Sequence, residues 1–138
     1  MSEFQLHPTL AADTIKVTDL GLCSVLLMND ARYPWLILVP RRLALRDLID
    51  LSDQDGELVN REIRQCSQVL QAVTSPYKLN VAALGNMVEQ LHIHIIARNK
   101  DDSAWPGPVW GVGTSEPYSD SAANETLSAI RRGLEATT

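Results

Sequence analysis

Residues 35–40, "WLILVP", form an unbroken apolar run that Pro40 closes. A run this short, bounded by turn residues, reads as a strand buried on both faces. The preceding "CSVLLMND" (23–30) is also apolar and β-compatible, and it ends in Asn29-Asp30. "ARYP" then reads as a turn, with Pro34 marking the break. The two segments therefore pair as a hairpin, and the chain needs material to cover its second strand from both sides.

The segments after the hairpin supply candidates. Ser52 is placed to cap a helix, with Asp53 and Asp55 in the first turn, where acids complement the helix dipole. Leu58, Val59, Ile63, Cys66, Val69, Leu70 and Val73 then recur at helical spacing, so an amphipathic helix runs through residue 74. "YKLNVAALG" (77–85) reads as a third strand and "VEQLHIHIIAR" (88–98) as a fourth, joined tightly around Gly85-Asn86. Residues 99–120 hold three prolines and three glycines and form a long loop carrying Trp105 and Trp110. A last helix spans about 121–135, with Leu127, Ile130 and Leu134 on one stripe. The class is α+β, an antiparallel sheet of about five strands packed by a central and a C-terminal helix.

Several function classes lose support from composition. The formal net charge is −5, which gives no basis for broad binding to nucleic acid. No apolar run approaches the roughly 20 residues that span a membrane. "MSEFQLHPTLAADT" lacks the apolar stretch of a signal peptide. Cys23 and Cys66 make no CxxC and suit buried thiols in a reducing compartment, so the expected location is the cytoplasm.

The fourth strand carries the chemistry. Alternation places Gln90, His92 and His94 on one face and Leu91, Ile93 and Ile95 on the other. Imidazoles at i and i+2 sit roughly 6.5–7 Å apart. That span suits two adjacent groups of one ligand, or two ligands to one metal, and geometry leaves both open. A metal needs a third ligand, and only His7 remains among the histidines, so no metal is expected. Gly85 can adopt a φ that other residues resist, and amides at such a turn can face a phosphate.

Gln90-Leu91-His92-Ile93-His94-Ile95-Ile96 resembles the His-φ-His-φ-His-φ-φ motif of the histidine triad (HIT) superfamily of nucleotide hydrolases and transferases, with glutamine at the first position. The hairpin ending "LILVPRR", the following helix and the "NVAALGN" strand occur in the family's order, so the resemblance spans about residues 20–100. "AWPGPVWG" is similar to the tail of a bacterial subgroup often labelled diadenosine-polyphosphate hydrolase-like. The whole chain, 1–138, then reads as one HIT-like domain.

The resemblance implies a purine nucleotide or dinucleotide as substrate, a homodimer as assembly and no cofactor, since the imidazole itself carries the intermediate. It makes His92 the nucleophile toward an α-phosphate. His94 would bond the phosphate and, as a cation, stabilise developing charge. It places Asn86 on the phosphate, Asn29 and Asp30 on the ribose hydroxyls, and Gln90 where an amide orients a ring or phosphate. Many members carry a histidine where Trp35 stands, beside the first histidine of the motif. Losing both leaves the nucleophile in place and bears on rate and substrate. Rival readings are a nucleotide-binding protein with little turnover and a transferase to an acceptor other than water. Arg98 reads as a solvated strand-end residue, Trp105 and Trp110 as pins for the loop, and both cysteines as core.

Overall fold

The computed structural model describes residues 3–137. The order is α1 (Pro8–Asp13), β1 (Thr14–Asp19), β2 (Cys23–Met28), β3 (Trp35–Pro40), α2 (Asp53–Thr74), β4 (Lys78–Ala82), β5 (Ile93–Arg98) and α3 (Asp120–Ala136). The five strands form one antiparallel sheet in the order β1-β2-β3-β5-β4. The apolar hairpin and the histidine strand are therefore central, and all twelve residues of β3 and β5 are buried.

Period-2 alternation explains how both faces are used. Leu36, Leu38, Ile93, Ile95 and Ala97 face α2 and α3, whose Cys66, Leu70, Leu127 and Ile130 complete one core. Trp35, Ile37, Val39 and Ile96 face the other way, into a second cluster with Leu10 of α1, Val88 and Val109. The N-terminal segment and the loop after β5 thus roof the face that bears the histidines.

The two long helices form where the sequence places them. Ser52 caps α2 by accepting from the Asp55 amide, and Ser119 caps α3 through the Ala122 amide. The helices meet where Gly133 faces Val69, since a Cβ there would lie 2.6 Å from Val69 Cγ1. Glu62 is buried in α2, and its carboxylate accepts from the Leu22 and Cys23 amides at 2.9 and 2.8 Å. Cys23 and Cys66 are buried free thiols, and burial pushes the Cys66 thiol up to about 12.

The strand boundaries differ from expectation. β2 stops at Met28, because Asp30 turns back to the Met28 carbonyl. The third strand shortens to Lys78–Ala82. The fourth begins only at Ile93, because the Leu91 amide bonds to Leu45 rather than to a strand. No tight turn joins them; residues 83–92 make an irregular excursion. β1 and α1 were not located by sequence patterning. β1 is an edge strand of mixed burial, and α1 is a short helix capped by His7 Nδ1, which accepts from the Thr9 amide.

Candidate active site

His92 lies at the last step of the excursion and is buried. Its Nδ1 is 2.7 Å from the Gln90 carbonyl. A carbonyl only accepts, so Nδ1 carries a proton, and in the neutral ring the lone pair is on Nε2. Among the described residues Nε2 has no hydrogen-bond partner. Gly85 lies against this ring: a Cβ there would be 3.1 Å from His92 Cε1 and 2.7 Å from the Val88 carbonyl oxygen. Its glycine is needed for close approach, not for a left-handed φ, which only Gly111 and Gly113 adopt among the glycines. Gly85→Ala should displace the ring, which the ¹⁵N shifts of the His92 imidazole in the variant check.

His94 is held differently. Trp35 Nε1 donates to its Nδ1 at 3.1 Å, while its Nε2 donates to the Leu84 carbonyl at 2.9 Å. Both nitrogens are used, and the ring is neutral with its proton on Nε2. The His92 ring centroid is 4.9 Å away and that of Trp110 5.1 Å. Burial pulls the His94 pKa down, the Leu84 carbonyl opposes it and His92 adds a smaller push down, leaving it at about 4. The cation anticipated from the sequence is therefore not formed at neutral pH.

Stability depends on pH through the same ring. The folded value lies below the unfolded value of about 6.5, so the folded state resists a proton that the unfolded chain accepts. The contribution is complete above about pH 6.5 and is lost as pH falls toward 4. Urea unfolding should show a loss of about 2 kcal/mol between pH 7 and pH 5 from this group. His94→Gln should flatten that dependence.

The other anticipated residues are spread around this pair. Gln90 is not on the strand face. Its amide turns to the N-terminal segment, accepting from the His7 amide at 2.8 Å and donating to the Gln5 carbonyl at 2.9 Å. What Gln90 offers His92 is its main-chain carbonyl. Asn29 and Asp30 line a cavity of about 420 Å³ together with Arg32, Trp35, Trp110 and Val112. Asn29 Oδ1 accepts from the Tyr118 amide at 2.9 Å. Asp30 is buried and holds Arg32 in a fork, with the Arg32 and Glu116 amides also on Oδ1. Burial pushes its carboxyl up, but Arg32 and these amides outweigh that and leave it below the ordinary carboxylate range. Asn86 lies apart, in a cavity of about 230 Å³ with Gly85, Arg46, Asp47 and Glu89.

A family model described as the HIT domain matches residues 9–101. The chain belongs to the HIT domain family. Among solved structures, this HIT-domain chain is 45% identical to a histidine triad protein of Bradyrhizobium japonicum, with a TM-score of 0.95 over 96% of this chain and 99% of that one. It is 42% identical to a histidine triad protein of Marinobacter aquaeolei VT8, with a TM-score of 0.95 over 99% and 100% of the two chains. A histidine triad protein of Sinorhizobium meliloti 1021 shares 41% identity, with a TM-score of 0.93 over 94% and 96%. No curated protein matches.

The rest of the HIT-domain chain supports the site from outside. Trp110 packs edge-on against His94 and Trp35, while Trp105 packs on Tyr77, so only the former reaches the histidines. Arg98 is not solvated: it is 1% exposed and donates to Asp102, Asn80 and the Gly107 carbonyl. Among the described residues no group of three His, Cys, Asp or Glu is arranged to hold a metal ion, and no helix is long and apolar enough to cross a membrane. Sequence reasoning missed Arg32, although its Asp30-x-Arg32 spacing was a signal. It also missed the Leu84 and Gln90 carbonyls, which have no side-chain signal at all.

Proposed function

We propose that this HIT-domain chain is a nucleotide hydrolase that cleaves at the α-phosphorus of a purine nucleotide through a nucleotidyl-histidine intermediate on His92. The observation that carries this is the His92 tautomer. Nδ1–H is fixed on the Gln90 carbonyl, so in the neutral ring the unpartnered Nε2 presents its lone pair. Covalent catalysis then splits one hard displacement into two easier ones. Family membership favours a nucleotide ligand. The 420 Å³ cavity has the size of a small-ligand site and supplies Trp35 and Trp110 for a base. Asn29 and Asp30 stand on its wall for the ribose, the latter through Oδ2, which otherwise accepts from Arg32 Nη2. Asn86, next to Gly85, serves the phosphate. The diadenosine-polyphosphate hydrolase-like subgroup fits this reading, as do a single domain and a cytoplasmic location.

A second reading, a nucleotide-binding protein with little turnover, is favoured by the engagement of both His94 nitrogens. A transferase to another acceptor shares the intermediate of the first. Intact-protein mass after brief mixing with diadenosine tetraphosphate, quenched without acid, decides between them. An added AMP mass on the wild type and not on His92→Ala, with AMP released, supports the hydrolase. Binding with neither adduct nor AMP supports the second reading.

The assembly is a homodimer in this reading. β4 is an edge strand, and exposed Tyr77, Val81, Leu84 and Met87 lie along or just beyond it. Light scattering on the purified chain should return twice the chain mass, and Val81→Lys should return one.

A further inference from the structure

The identity of the leaving group follows from how His94 is held. A nucleophile alone does not complete a displacement; the departing atom must also accept the bond's electron pair. Where that atom is nitrogen it departs only after gaining a proton, whereas the oxygen of a phosphate or carboxylate departs as a stable anion. Selectivity therefore turns on whether the histidine pair can supply a proton.

His92 cannot supply one from Nε2, which is the attacking atom. His94 has one proton, on Nε2, and it is held by the Leu84 carbonyl. A second proton would have to enter at Nδ1, where the Trp35 N–H already points at 3.1 Å. Two N–H groups facing each other in a buried site repel, and burial makes an unmatched donor costly. The indole is itself fixed: Trp35 is in β3, buried, between Tyr33 and Trp110 with ring centroids 6.4 and 6.3 Å away. The titratable group facing His94 is His92. Further out, Asp47 and Glu89 line the smaller cavity with Arg46, and Glu89 faces that guanidinium at 3.8 Å.

We propose that Trp35 is a positioning residue that holds His94 as a neutral imidazole, and thereby restricts the site to nucleotides joined through an anhydride, phosphoric or acyl-phosphoric, rather than through a phosphorus–nitrogen bond. This rests on the hydrolase reading and narrows its substrate. His92 Nε2 forms a bond to the α-phosphorus while the bridging P–O bond breaks, and the electron pair leaves on the oxygen of a phosphate or carboxylate. The imidazole keeps its Nδ1 proton and carries the positive charge. Water then attacks phosphorus, the P–N pair returns to Nε2, and the surplus proton passes to solvent. A phosphoramidate on the same path would put the pair on an unprotonated nitrogen, and the step stalls.

The test compares kcat/KM of the full chain for diadenosine tetraphosphate and adenosine 5′-phosphoramidate at neutral pH, with ¹⁵N spectra of the histidine rings. The anhydride should be preferred by about a hundredfold or more, the lower range of what a general acid contributes. The His94 ring should show a protonated Nε2 and a bare Nδ1 throughout the neutral range. Trp35→His places an acceptor opposite Nδ1; His94 should then titrate nearer neutrality and the preference should narrow by about tenfold. Equal handling of both substrates by the wild type, an ordinary His94 titration, or a proportional fall of both rates in Trp35→His would overturn the proposal. Failure to turn over either substrate overturns the hydrolase reading and this selectivity with it, a result distinct from cleavage of both.

Discussion

On the proposed hydrolase reading, replacing His92 with alanine is expected to lower kcat/KM for diadenosine tetraphosphate by about four orders of magnitude or more, the scale seen when a nucleophile is removed. No other imidazole can take over. His94 has both nitrogens bonded, and His7 Nδ1 accepts from the Thr9 amide. The substitution also leaves the Gln90 carbonyl without its donor and opens a void beside Gly85, so some stability is lost, about 1–3 kcal/mol. Two measurements separate the effects: nucleotide affinity, which should persist, and added free imidazole, which should restore part of the rate by occupying the void. A loss of binding equal to the loss of rate would point instead to collapse of the site.

Arg98→Ala carries the largest expected stability change, about 3–5 kcal/mol, typical of removing one partner of a buried ion pair. The guanidinium is 1% exposed and satisfies both Asp102 oxygens, Asn80 Oδ1 and the Gly107 carbonyl. Arg98 is also the main cause holding the Asp102 carboxyl below its ordinary range, and Asp102 in turn accepts from the amides of Asn99, Ala104 and Trp105. Without Arg98, the half-buried Asp102 carboxylate loses its counter-charge and the turn after β5 loses its anchor. Urea unfolding should show the loss, with a Tm fall of about 10 °C or more. Arg98→Lys keeps the charge and loses the fork, and it should fall between the two. Because the same loop brings Trp110 to His94, activity should decline before global unfolding sets in.

Long patterned segments were legible in the sequence. The hairpin, both long helices and the Ser52 cap follow from apolar periodicity and capping chemistry, whereas the Ser119 cap does not figure in that reading; alternation put His92 and His94 on one face, and their ring centroids lie 4.9 Å apart. Other features depend on contacts that no local pattern encodes. β1 is half exposed, and its register to β2 shifts between Lys16 and Thr18, so its alternation is weak. Arg98 looked like a surface residue because its partners lie 4, 9 and 18 positions away along the chain. Gln90 left the strand face because its amide is claimed by the N-terminal segment, 83 and 85 positions distant. At the site, residue types were readable and their protonation was not. That is set by carbonyls, which every residue has, and by an indole approaching from a neighbouring strand.

The two carbonyls that fix the imidazole protons, those of Gln90 and Leu84, belong to the main chain. No side-chain replacement can delete them; they can only be moved by refolding the excursion between β4 and β5. Which nitrogen of each ring carries its first proton is therefore inherited with the backbone and is shielded from side-chain replacement. Trp35 and the loop roofing the histidine face are side-chain features and can be exchanged one at a time. Divergence in a lineage built on this scaffold would then fall on the surroundings of the two rings, while the His92 nitrogen left free of hydrogen bonds stays the same.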